Sequence, residues 1–443
     1  MKHKILNTVV VGSGLSGLSF INEFLKQKRH INLITPFKQI KYREKYNKNI
    51  LENLPPQIIN KSSINSVMNY FKLNSIKCHK SSEVLGSMEF GGLSNYWANQ
   101  IELDQFDDLR TLGKKNINEI NKIQIELTLN NNFISKLNKK GNIINHLKPP
   151  EPLNKIKSKK KNLKISKPNL ALSPKKKNNI NFNNDFEVYN AKNFYKKLKN
   201  KDKLRIYDYY LSKLYKEKNY YKLICKNLSK TKIIYAKRVI LACGTIATTK
   251  ILMDYLNIKN EIQIKHHQRM MSAFLAKNKY NSNMDFLNSV LWFKGKFKKT
   301  LFIGDLRIGS TSIINAIIRK YSLLKIFQIF LNYIRSRIFF SNIFLSTSFS
   351  NLYIKKKNKF FIIYSKKNKQ KGIKNIFLYS INKISSILKE NKLIFPFIIK
   401  RFLKPGNDFH YCGTIDINTK NKKLSVNKDC QLNNNKNLYI VDS

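Results

Sequence analysis

A glycine-rich turn directly follows a short run of β-branched residues near the N-terminus, in the stretch Asn7-Thr8-Val9-Val10-Val11-Gly12-Ser13-Gly14-Leu15-Ser16-Gly17. The valine run predicts a buried parallel strand, because such strands are apolar on both faces. Residues 18–28 predict a helix, and Ile31–Ile34 predict a second strand. The stretch therefore predicts a βαβ unit with glycines at its first turn, and this unit decides the fold class.

The glycines of this turn have the spacing of a dinucleotide-binding loop. Gly12 permits the tight turn, Gly14 lets the backbone approach a pyrophosphate, and Gly17 lets the helix pack on the strand. The helix N-terminus adds free N–H groups and a positive dipole. The strand–turn–helix context favours a phosphate site over a glycine turn without a ligand. Thr35 replaces the acidic residue usual after the second strand, and its hydroxyl can bond a ribose more weakly than a carboxylate would.

The composition is that of a folded protein. The chain has 443 residues, of which 42% are apolar, and this content excludes a disordered chain. The length predicts two or three domains, at roughly 100–200 residues for each domain. Five cysteines are far apart and form no CxxC spacing: Cys78, Cys225, Cys243, Cys412 and Cys430. This pattern excludes a disulfide scaffold and a zinc ribbon, predicts no metal site, and favours a reducing, cytoplasmic compartment.

The charge is strongly positive. The formal net charge of +58 comes from 84 Lys and Arg residues against 26 Asp and Glu residues. Such a charge favours nucleic-acid binding, because a basic surface releases counterions from phosphate. Most of the cations are lysines, however, whereas arginine is the residue suited to bidentate contacts with bases. Abundant Lys, Asn, Ile, Phe and Tyr together indicate A+T-rich coding drift, although drift does not explain the shortage of Asp and Glu. We therefore expect no specific nucleic-acid partner.

No stretch predicts a targeting signal or a transmembrane helix. The apolar run Ile5–Val11 stops at the glycine turn, and the longest uncharged apolar part, Ile338–Ile354, contains Ser, Thr and Asn. Leu323–Phe340 has an amphipathic pattern that favours a helix packed on the core. A helix lying in a membrane interface is the alternative for this segment. We expect a soluble protein, with peripheral membrane contact left open.

The remaining chain shows a second glycine junction and a Lys-rich segment. Short apolar runs predict strands at residues 204–207, 211–215, 220–225 and 232–235. Val239–Gly244 predicts another strand that ends in glycine before a helix at Thr245–Leu256, which indicates a return to the first sheet. Residues 151–180 predict a loop or linker. Further helices are predicted at Leu323–Ile338 and Ile373–Leu388, and a hairpin joins residues 351–354 with residues 360–364.

Two other stretches carry candidate binding or catalytic residues. Gly86–Asn99 contains two adjacent glycines, small polar residues and Trp97, a pattern that fits a flat ligand and equally a surface loop with a buried Trp. His410 precedes a Gly-Thr turn and has the pKa range of a general base, although a lone His is usually structural. His266 and His267 are adjacent and cannot share one strand face, and because we expect no carboxylate or Cys near them, they are predicted to be poor metal ligands.

Together these stretches resemble the glucose–methanol–choline (GMC) family of FAD-dependent oxidoreductases. Gly12–Gly17 is similar to the family's FAD pyrophosphate loop, and Gly91–Trp97 is similar to its flavin-side segment, in the version found in members associated with polysaccharide biosynthesis. Ala236–Leu252 resembles the strand and helix that return to the FAD sheet. His410–Thr414 matches the family's His-x-x-Gly-Thr motif, and Asn437–Ser443 resembles a strand that meets the flavin.

The resemblance implies an α/β fold, α+β overall, with a Rossmann-like FAD-binding domain around a parallel sheet and a substrate domain of antiparallel sheet and helices. It implies a discontinuous FAD-binding domain of residues 1–104, 185–265 and 405–443, and a substrate-binding domain of residues 266–404. A Lys-rich region, residues 105–184, connects them. Family members continue beyond the position of Ser443 with a stretch that holds a second active-site residue, so the chain is interpreted as C-terminally shortened.

The resemblance also implies a cofactor and its contacts. FAD would accept a hydride from the carbon of a small alcohol or sugar, and His410 would remove the hydroxyl proton. A further, unidentified electron acceptor would then reoxidise the flavin. The implied cofactor-binding residues are Gly12, Ser13, Gly14, Gly17, Thr35, Gly91, Gly92, Ser94, Asn95, Leu211, Gly244 and Asp442. Two alternatives stay open: a catalytically impaired remnant that keeps the fold, and a basic polyanion-binding protein.

Overall fold

The structure is a computed structural model that describes residues 4–38, 42, 44–58, 60–97, 152–156, 163–166, 172–174, 186–227, 230–280, 289–367, 370–417 and 423–442. Its strands are β1 (Ile5–Val11), β2 (Ile31–Thr35), β3 (Ile76–Cys78), β4 (Leu163–Ser166), β5 (Leu172–Pro174), β6 (Phe186–Val188), β7 (Leu204–Asp208), β8 (Tyr210–Lys216), β9 (Tyr221–Lys226), β10 (Thr231–Leu241), β11 (Ile262–His266), β12 (Arg269–Ala276), β13 (Ser289–Phe297), β14 (Thr300–Ile308), β15 (Ile338–Leu345), β16 (Leu352–Lys357), β17 (Phe360–Ser365), β18 (Ile394–Phe402), β19 (Tyr411–Gly413), β20 (Asp416–Ile417), β21 (Ser425–Val426) and β22 (Leu438–Ile440). Its α-helices are α1 (Leu15–Lys26), α2 (Lys48–Glu52), α3 (Lys61–Leu73), α4 (Ala191–Lys197), α5 (Thr245–Tyr255), α6 (Thr311–Lys320), α7 (Gln328–Ile334) and α8 (Gln370–Glu390).

Parallel strands form the centre of the first sheet. β7, β2, β1 and β10 lie side by side in that order, all parallel. Val10 of β1 and Leu33 of β2 are fully buried, as expected of strands that are covered on both faces. Leu18 and Ile21 of α1 pack against them. The predicted βαβ unit is therefore confirmed.

The strand β10 is longer than predicted and has three neighbours. Residues 232–235 and 239–241, predicted in two separate strands, belong to one strand from Thr231 to Leu241. Its first half pairs antiparallel with β9, and its last three residues pair parallel with β22. The opposite edge pairs parallel with β1. The C-terminal strand thus reaches the same sheet as the N-terminal one.

The second sheet is antiparallel and has six strands, in the order β18-β12-β15-β14-β13-β4. Its core-facing side chains pack with those of α8, among them Phe274, Phe302 and Phe377. β4 belongs to this sheet although the surrounding stretch, residues 151–180, was predicted to be a loop or linker. Leu163 is buried in the core and Ile165 packs against it, so a short alternating pattern between lysines is enough to add an edge strand.

A third sheet has five strands, in the order β19-β11-β16-β17-β3. β16 and β17 form the predicted hairpin. β11 pairs antiparallel with β19, with His266 opposite Tyr411. This pairing brings the two adjacent histidines of the chain next to the residue that precedes β19, His410.

The segment Leu323–Ile338 was predicted as one helix packed on the core, and this prediction is wrong. Residues 322–327 form a 3₁₀ turn and α7 follows, with Leu323 81% exposed and Ile329 87% exposed. The core face of the six-stranded sheet is already covered by α8, so no apolar surface is left to bury this segment there. In the part of the chain that the structure describes, no helix is long and apolar enough to cross a membrane.

Replacing Gly17 tests the packing of the βαβ unit. A Cβ at this position would lie 2.2 Å from the carbonyl oxygen of Gly12, which is backbone and cannot move aside. We expect Gly17→Ala to destabilise the chain by roughly 1–3 kcal/mol, the usual cost of overpacking, in equilibrium urea unfolding.

The matched control is Gly372→Ala in α8, where a Cβ would meet nothing within 4 Å. Because Ala is the better helix former, we expect this change to be neutral or to stabilise by about 0.5–1 kcal/mol. Equal effects of the two substitutions would contradict the packing described here.

Candidate functional site

Two cavities meet at His410. The first, about 590 Å³, lies at the carboxyl ends of β1, β2 and β10. The second, about 280 Å³, lies against the six-stranded sheet. Leu85, Leu93, Phe409 and His410 line both. The carboxyl edge of a parallel sheet is the usual ligand position in open α/β folds, so the first cavity is where the sequence predicts a dinucleotide.

The glycine turn forms one wall of the first cavity. Gly12 has φ 108°, and a Cβ there would lie 2.0 Å from the carbonyl oxygen of Ala242. Gly14 is the N-cap of α1, no side chain caps this helix, and a Cβ on Gly14 would meet nothing within 4 Å. The first turn of α1 contains no acidic residue. Its N–H groups and its positive dipole end are therefore available to an anion in the cavity.

Thr35 lines the first cavity, but its hydroxyl has a protein partner. Thr35 Oγ1 lies 2.8 Å from Ser13 Oγ, and both side chains are buried. Ser13 Oγ also accepts a hydrogen bond of 3.0 Å from the N–H of Gly91. On the neighbouring strand, Asp208 does not line this cavity, and its Oδ1 accepts hydrogen bonds from the N–H groups of residues 37 and 38. The hydroxyls thus tie the glycine turn to the Gly91 loop.

The Gly91 loop forms the facing wall. Gly91 and Gly92 have φ 93° and 57°, backbone values that favour glycine, and a Cβ on Gly92 would meet nothing within 4 Å. Ser94 Oγ donates to Gly91 O at 2.7 Å. Asn95 Nδ2 donates to Phe90 O at 2.8 Å, and Trp97 Nε1 donates to a backbone oxygen at 2.7 Å. Asn95 and Trp97 thus hold the shape of the loop.

A second helix begins at the same cavity. Gly244 has φ 82° and is the N-cap of α5. Asp442, just after β22, accepts hydrogen bonds from Thr248 Oγ1 and from the N–H groups of Cys243 and Gly244. Burial raises the pKa of Asp442 to about 7, and these hydrogen bonds oppose that shift. A carboxyl group that titrates near neutrality therefore lies at the cavity wall.

Most of the predicted cofactor-binding residues share this cavity. Those that line it are Gly12, Ser13, Gly14, Thr35, Gly91, Gly92, Ser94, Leu211, Gly244 and Asp442. Gly17 and Asn95 do not line it. Gly17 lies behind the turn, against the Gly12 carbonyl, and Asn95 holds the loop.

His410 faces both cavities from the residue before β19. No described residue hydrogen-bonds its ring nitrogens, and its ring lies 5.9 Å from that of Phe344. The His410 side chain is exposed to the cavities, yet desolvation by the surrounding protein atoms lowers its pKa to about 4, and the nearby Asp408 carboxylate opposes this shift. The imidazole is therefore neutral at pH 7 and can accept a proton from a ligand.

The two adjacent histidines have partners that the sequence did not reveal. His266 Nδ1 lies 3.3 Å from Asp408 Oδ1, and the backbone N–H of His267 donates to Asp408 Oδ2 at 2.9 Å. His267 Nε2 lies 3.4 Å from the Cys412 sulfur, and its ring is 6.2 Å from that of His410. The expectation that no carboxylate or Cys lies near these histidines is wrong, because β11 and β19 pair across a gap of some 140 positions in sequence.

Two solved structures share this fold. Pyridoxine 4-oxidase from Mesorbium loti matches with a TM-score of 0.57 and 10% identity, over 98% of this chain and 93% of that chain. A fungal aryl-alcohol oxidase matches with a TM-score of 0.55 and 9% identity, over 98% and 94%. By sequence, no protein family and no curated protein matches. The chain therefore has the mixed α/β fold of these two oxidases, and the fold class that its GMC-like motifs imply is confirmed.

Proposed function

We propose that the first cavity binds FAD and that the second cavity binds an alcohol which the flavin oxidises. The observation that carries this proposal is the position of His410, which lines both cavities where they meet. A base at this junction can reach an alcohol in the second cavity while the alcohol faces the cofactor in the first cavity. The proposal thus assigns cofactor binding, substrate binding and proton transfer to three adjoining parts of the fold.

The walls of the first cavity fit a dinucleotide. The backbone at Gly14 opens into free space at the start of α1, so the N–H groups of this helix are available to phosphate. At the start of α5, Asp442 already accepts hydrogen bonds from the N–H groups of Cys243 and Gly244. The volume of about 590 Å³ lies within the range of about 300–1,000 Å³ that is typical of ligand sites. The volume of the cavity and the uncapped N-terminus of α1 therefore support a large cofactor that contains phosphate.

The proposed FAD contacts follow the two walls. Gly12, Ser13 and Gly14 would hold the pyrophosphate beside Thr35, and Gly91, Gly92, Ser94, Leu211, Gly244 and Asp442 would hold the rest of the cofactor. Gly17 and Asn95 would act through the shape of the turn and the loop. When bound, FAD supplies the acceptor for the hydride of the substrate. The proposed FAD-binding domain comprises residues 1–104, 185–265 and 405–443, and residues 266–404 form the substrate domain. The connecting region, residues 105–184, adds β4 to the six-stranded sheet of the substrate domain.

His410 is the proposed general base. As the neutral form predominates at pH 7, its imidazole can take the hydroxyl proton while the carbon loses its hydride. Asp408 stabilises the imidazolium that results, because its carboxylate favours the charged form of His410. The carboxylate is itself held by the N–H of His267, so it keeps its position during proton transfer.

The substrate class rests on two observations. The names of the two oxidases that share the fold, pyridoxine 4-oxidase and aryl-alcohol oxidase, support an oxidisable alcohol. The second cavity contains Trp292 and Phe344, on whose faces a ring can pack. From the likeness to polysaccharide-associated sequences we propose that the substrate is a sugar or a sugar-linked alcohol. We also propose that the protein acts in the cytoplasm and that a separate electron acceptor reoxidises the flavin.

Replacing His410 tests the assignment of the base. We expect His410→Gln to lower kcat by about 10²–10⁴-fold, the usual contribution of a general base, and to leave the flavin content unchanged. The flavin content is read from visible absorbance, and kcat from flavin-linked oxidation of a panel of sugars and aryl alcohols.

The matched control is His30→Gln, because His30 is an exposed residue outside both cavities. It should keep both flavin and kcat. A His410→Gln enzyme that turns over at the wild-type rate would exclude His410 as the base.

The pH dependence gives an independent test of the same base. The pKa of His410 is lowered to about 4, so the neutral, proton-accepting form is lost only as the pH falls through that value. We expect kcat/KM to be level from about pH 5 to 7 and to fall about tenfold for each pH unit below 4. An acidic limb centred near 6.5, the ordinary value of a His, would contradict the environment described for this residue.

We further propose that the surface around residues 322–334 contacts an acidic membrane. Its six large apolar side chains are between 56% and 87% exposed: Leu323, Ile326, Phe327, Ile329, Phe330 and Tyr333. Lys325 lies among them, and Arg335 and Arg337 follow α7. Apolar side chains beside cations suit the interface of an anionic bilayer, and the net charge of +58 adds a general attraction.

Vesicle sedimentation tests this surface. We expect binding to vesicles that contain phosphatidylserine, and Ile329→Asp should weaken it at least about tenfold because it removes buried apolar area and adds repulsion. Ile417→Asp, at an apolar residue that is 46% exposed on another element, is the control and should have little effect. Equal losses in both variants, or none in either, would show that charge alone accounts for the binding.

A further inference from the structure

The six-stranded sheet has two faces of opposite character. The face toward α8 is apolar and includes Met270, Phe274 and Leu306. Side chains alternate along a strand, so the intervening residues lie on the other face, which lines the second cavity. One row across that face runs from Arg401 through Met271, Asn342 and Asp305 to Trp292, each opposite the next. Arg269 and Arg307 lie on the same face, two residues along from this row.

Three arginines on one cavity wall are unusual for this chain. It has 11 arginines among its 84 Lys and Arg residues, yet Arg269, Arg307 and Arg401 all line the second cavity. Arginine is suited to planar, bidentate contacts with carboxylate and phosphate. The wall therefore has the chemistry of an anion-binding surface.

One of the three arginines is neutralised by the protein. Arg307 donates from Nε at 2.8 Å and from a terminal nitrogen at 2.6 Å to Asp305 Oδ2. The other oxygen of Asp305 accepts hydrogen bonds from the backbone and side chain of Asn342, at 3.2 and 2.7 Å. Lys320, also on the cavity wall, lies 3.5 Å from Glu83. These two cations already have carboxylate partners.

Arg269 is held only by neutral acceptors. Two of its nitrogens donate to Asn342 Oδ1 at 3.1 and 2.6 Å, and a third donates to Asn407 O at 3.2 Å. Burial lowers the pKa of Arg269 to about 10, so it is still cationic at pH 7. Within the described part of the chain, no carboxylate lies within 4 Å of its guanidinium, and Asp305 and Asp408 favour its charged form only from farther away. A charge in such a position is costly unless a counter-ion is supplied.

Arg401 is the second cation without a carboxylate partner among the described residues. It lies on β18 opposite Met271, one strand away from Arg269, and its guanidinium is 5.4 Å from the ring of Tyr321. Both guanidiniums therefore project from neighbouring strands into the cavity that His410 lines.

We propose that the second cavity binds a small substrate that carries an anionic group, a carboxylate or a phosphate, and that Arg269 and Arg401 hold this group. The inference rests on the proposed function for the position of the hydroxyl, which points toward His410. The cavity volume of about 280 Å³ suits a small molecule, such as a hydroxy acid or a phosphorylated sugar fragment. A neutral alcohol offers neither arginine an anionic group to contact directly.

A matched series of three ligands tests the proposal by a readout that needs no turnover. Glycerate, glycerol 3-phosphate and glycerol share a carbon skeleton and differ in the anionic group. We expect the two anions to raise the melting temperature of the purified holoenzyme in a saturable manner, and glycerol at the same concentrations to have no such effect. A preference for one anion identifies carboxylate or phosphate as the source.

Arg401→Gln should weaken anion binding by about 10- to 100-fold, the usual effect of losing a charge-assisted hydrogen bond. Arg269→Lys keeps the charge but loses the two contacts with Asn342. We expect this variant to fold and to lose less anion affinity than Arg401→Gln. Arg205→Gln, at an exposed arginine on β7, is the control for general charge and should bind anions like the wild type. Equal stabilisation by glycerol, or equal losses in Arg401→Gln and Arg205→Gln, would overturn the proposal.

The experiments distinguish failure of the proposed FAD-dependent function from failure of the proposed anion site. A chain without flavin that still binds glycerate or glycerol 3-phosphate through Arg401 would contradict the proposed function and support the anion site. A flavoenzyme that oxidises neutral alcohols and shows no Arg401-dependent anion binding would support the function and overturn the anion site.

Discussion

The close backbone contact between the ends of β1 and β10 is the constraint on which the site depends. The N–H of Ala242 donates to Val11 O at 2.8 Å, and a Cβ on Gly12 would lie 2.0 Å from Ala242 O. Only a residue without a side chain permits this approach. Because both strands then end at the same edge and both lead into helices, the N-termini of α1 and α5 face one cavity. The uncapped N-terminus of α1 favours an anionic ligand there, and Asp442 accepts hydrogen bonds at the start of α5.

The other sheets place the chemistry against that cavity. Pairing of β11 with β19 fixes His410 beside the end of the first sheet, and the polar face of the six-stranded sheet closes the second cavity on its other side. The low pKa of His410 and the near-neutral pKa of Asp442 have the same origin, since desolvation by the surrounding protein atoms disfavours the charged form of each. The enclosure that creates the cavities therefore also sets the protonation states of the groups that face them.

Local patterns predicted the first sheet well and long-range contacts poorly. The glycine spacing and the valine run specify a βαβ unit by themselves, and the structure has it. The strand at Leu163–Ser166 was missed because lysine-rich flanks hide two alternating apolar residues. Residues 322–334 have an amphipathic pattern, which predicts an apolar face but not the layer that would cover it. His267 and Arg269 join the site only through pairing between distant strands, which no local spacing encodes.

The central claim is that the cavity at the ends of β1, β2 and β10 holds FAD, and a visible absorbance spectrum of the purified chain tests it most directly. The account predicts flavin bands at near one FAD for each chain, released on denaturation, and their loss when Gly14→Val fills the open space at the start of α1. A colourless protein that also fails to take up added FAD would contradict the account, and so would flavin bound equally well by the Gly14→Val variant.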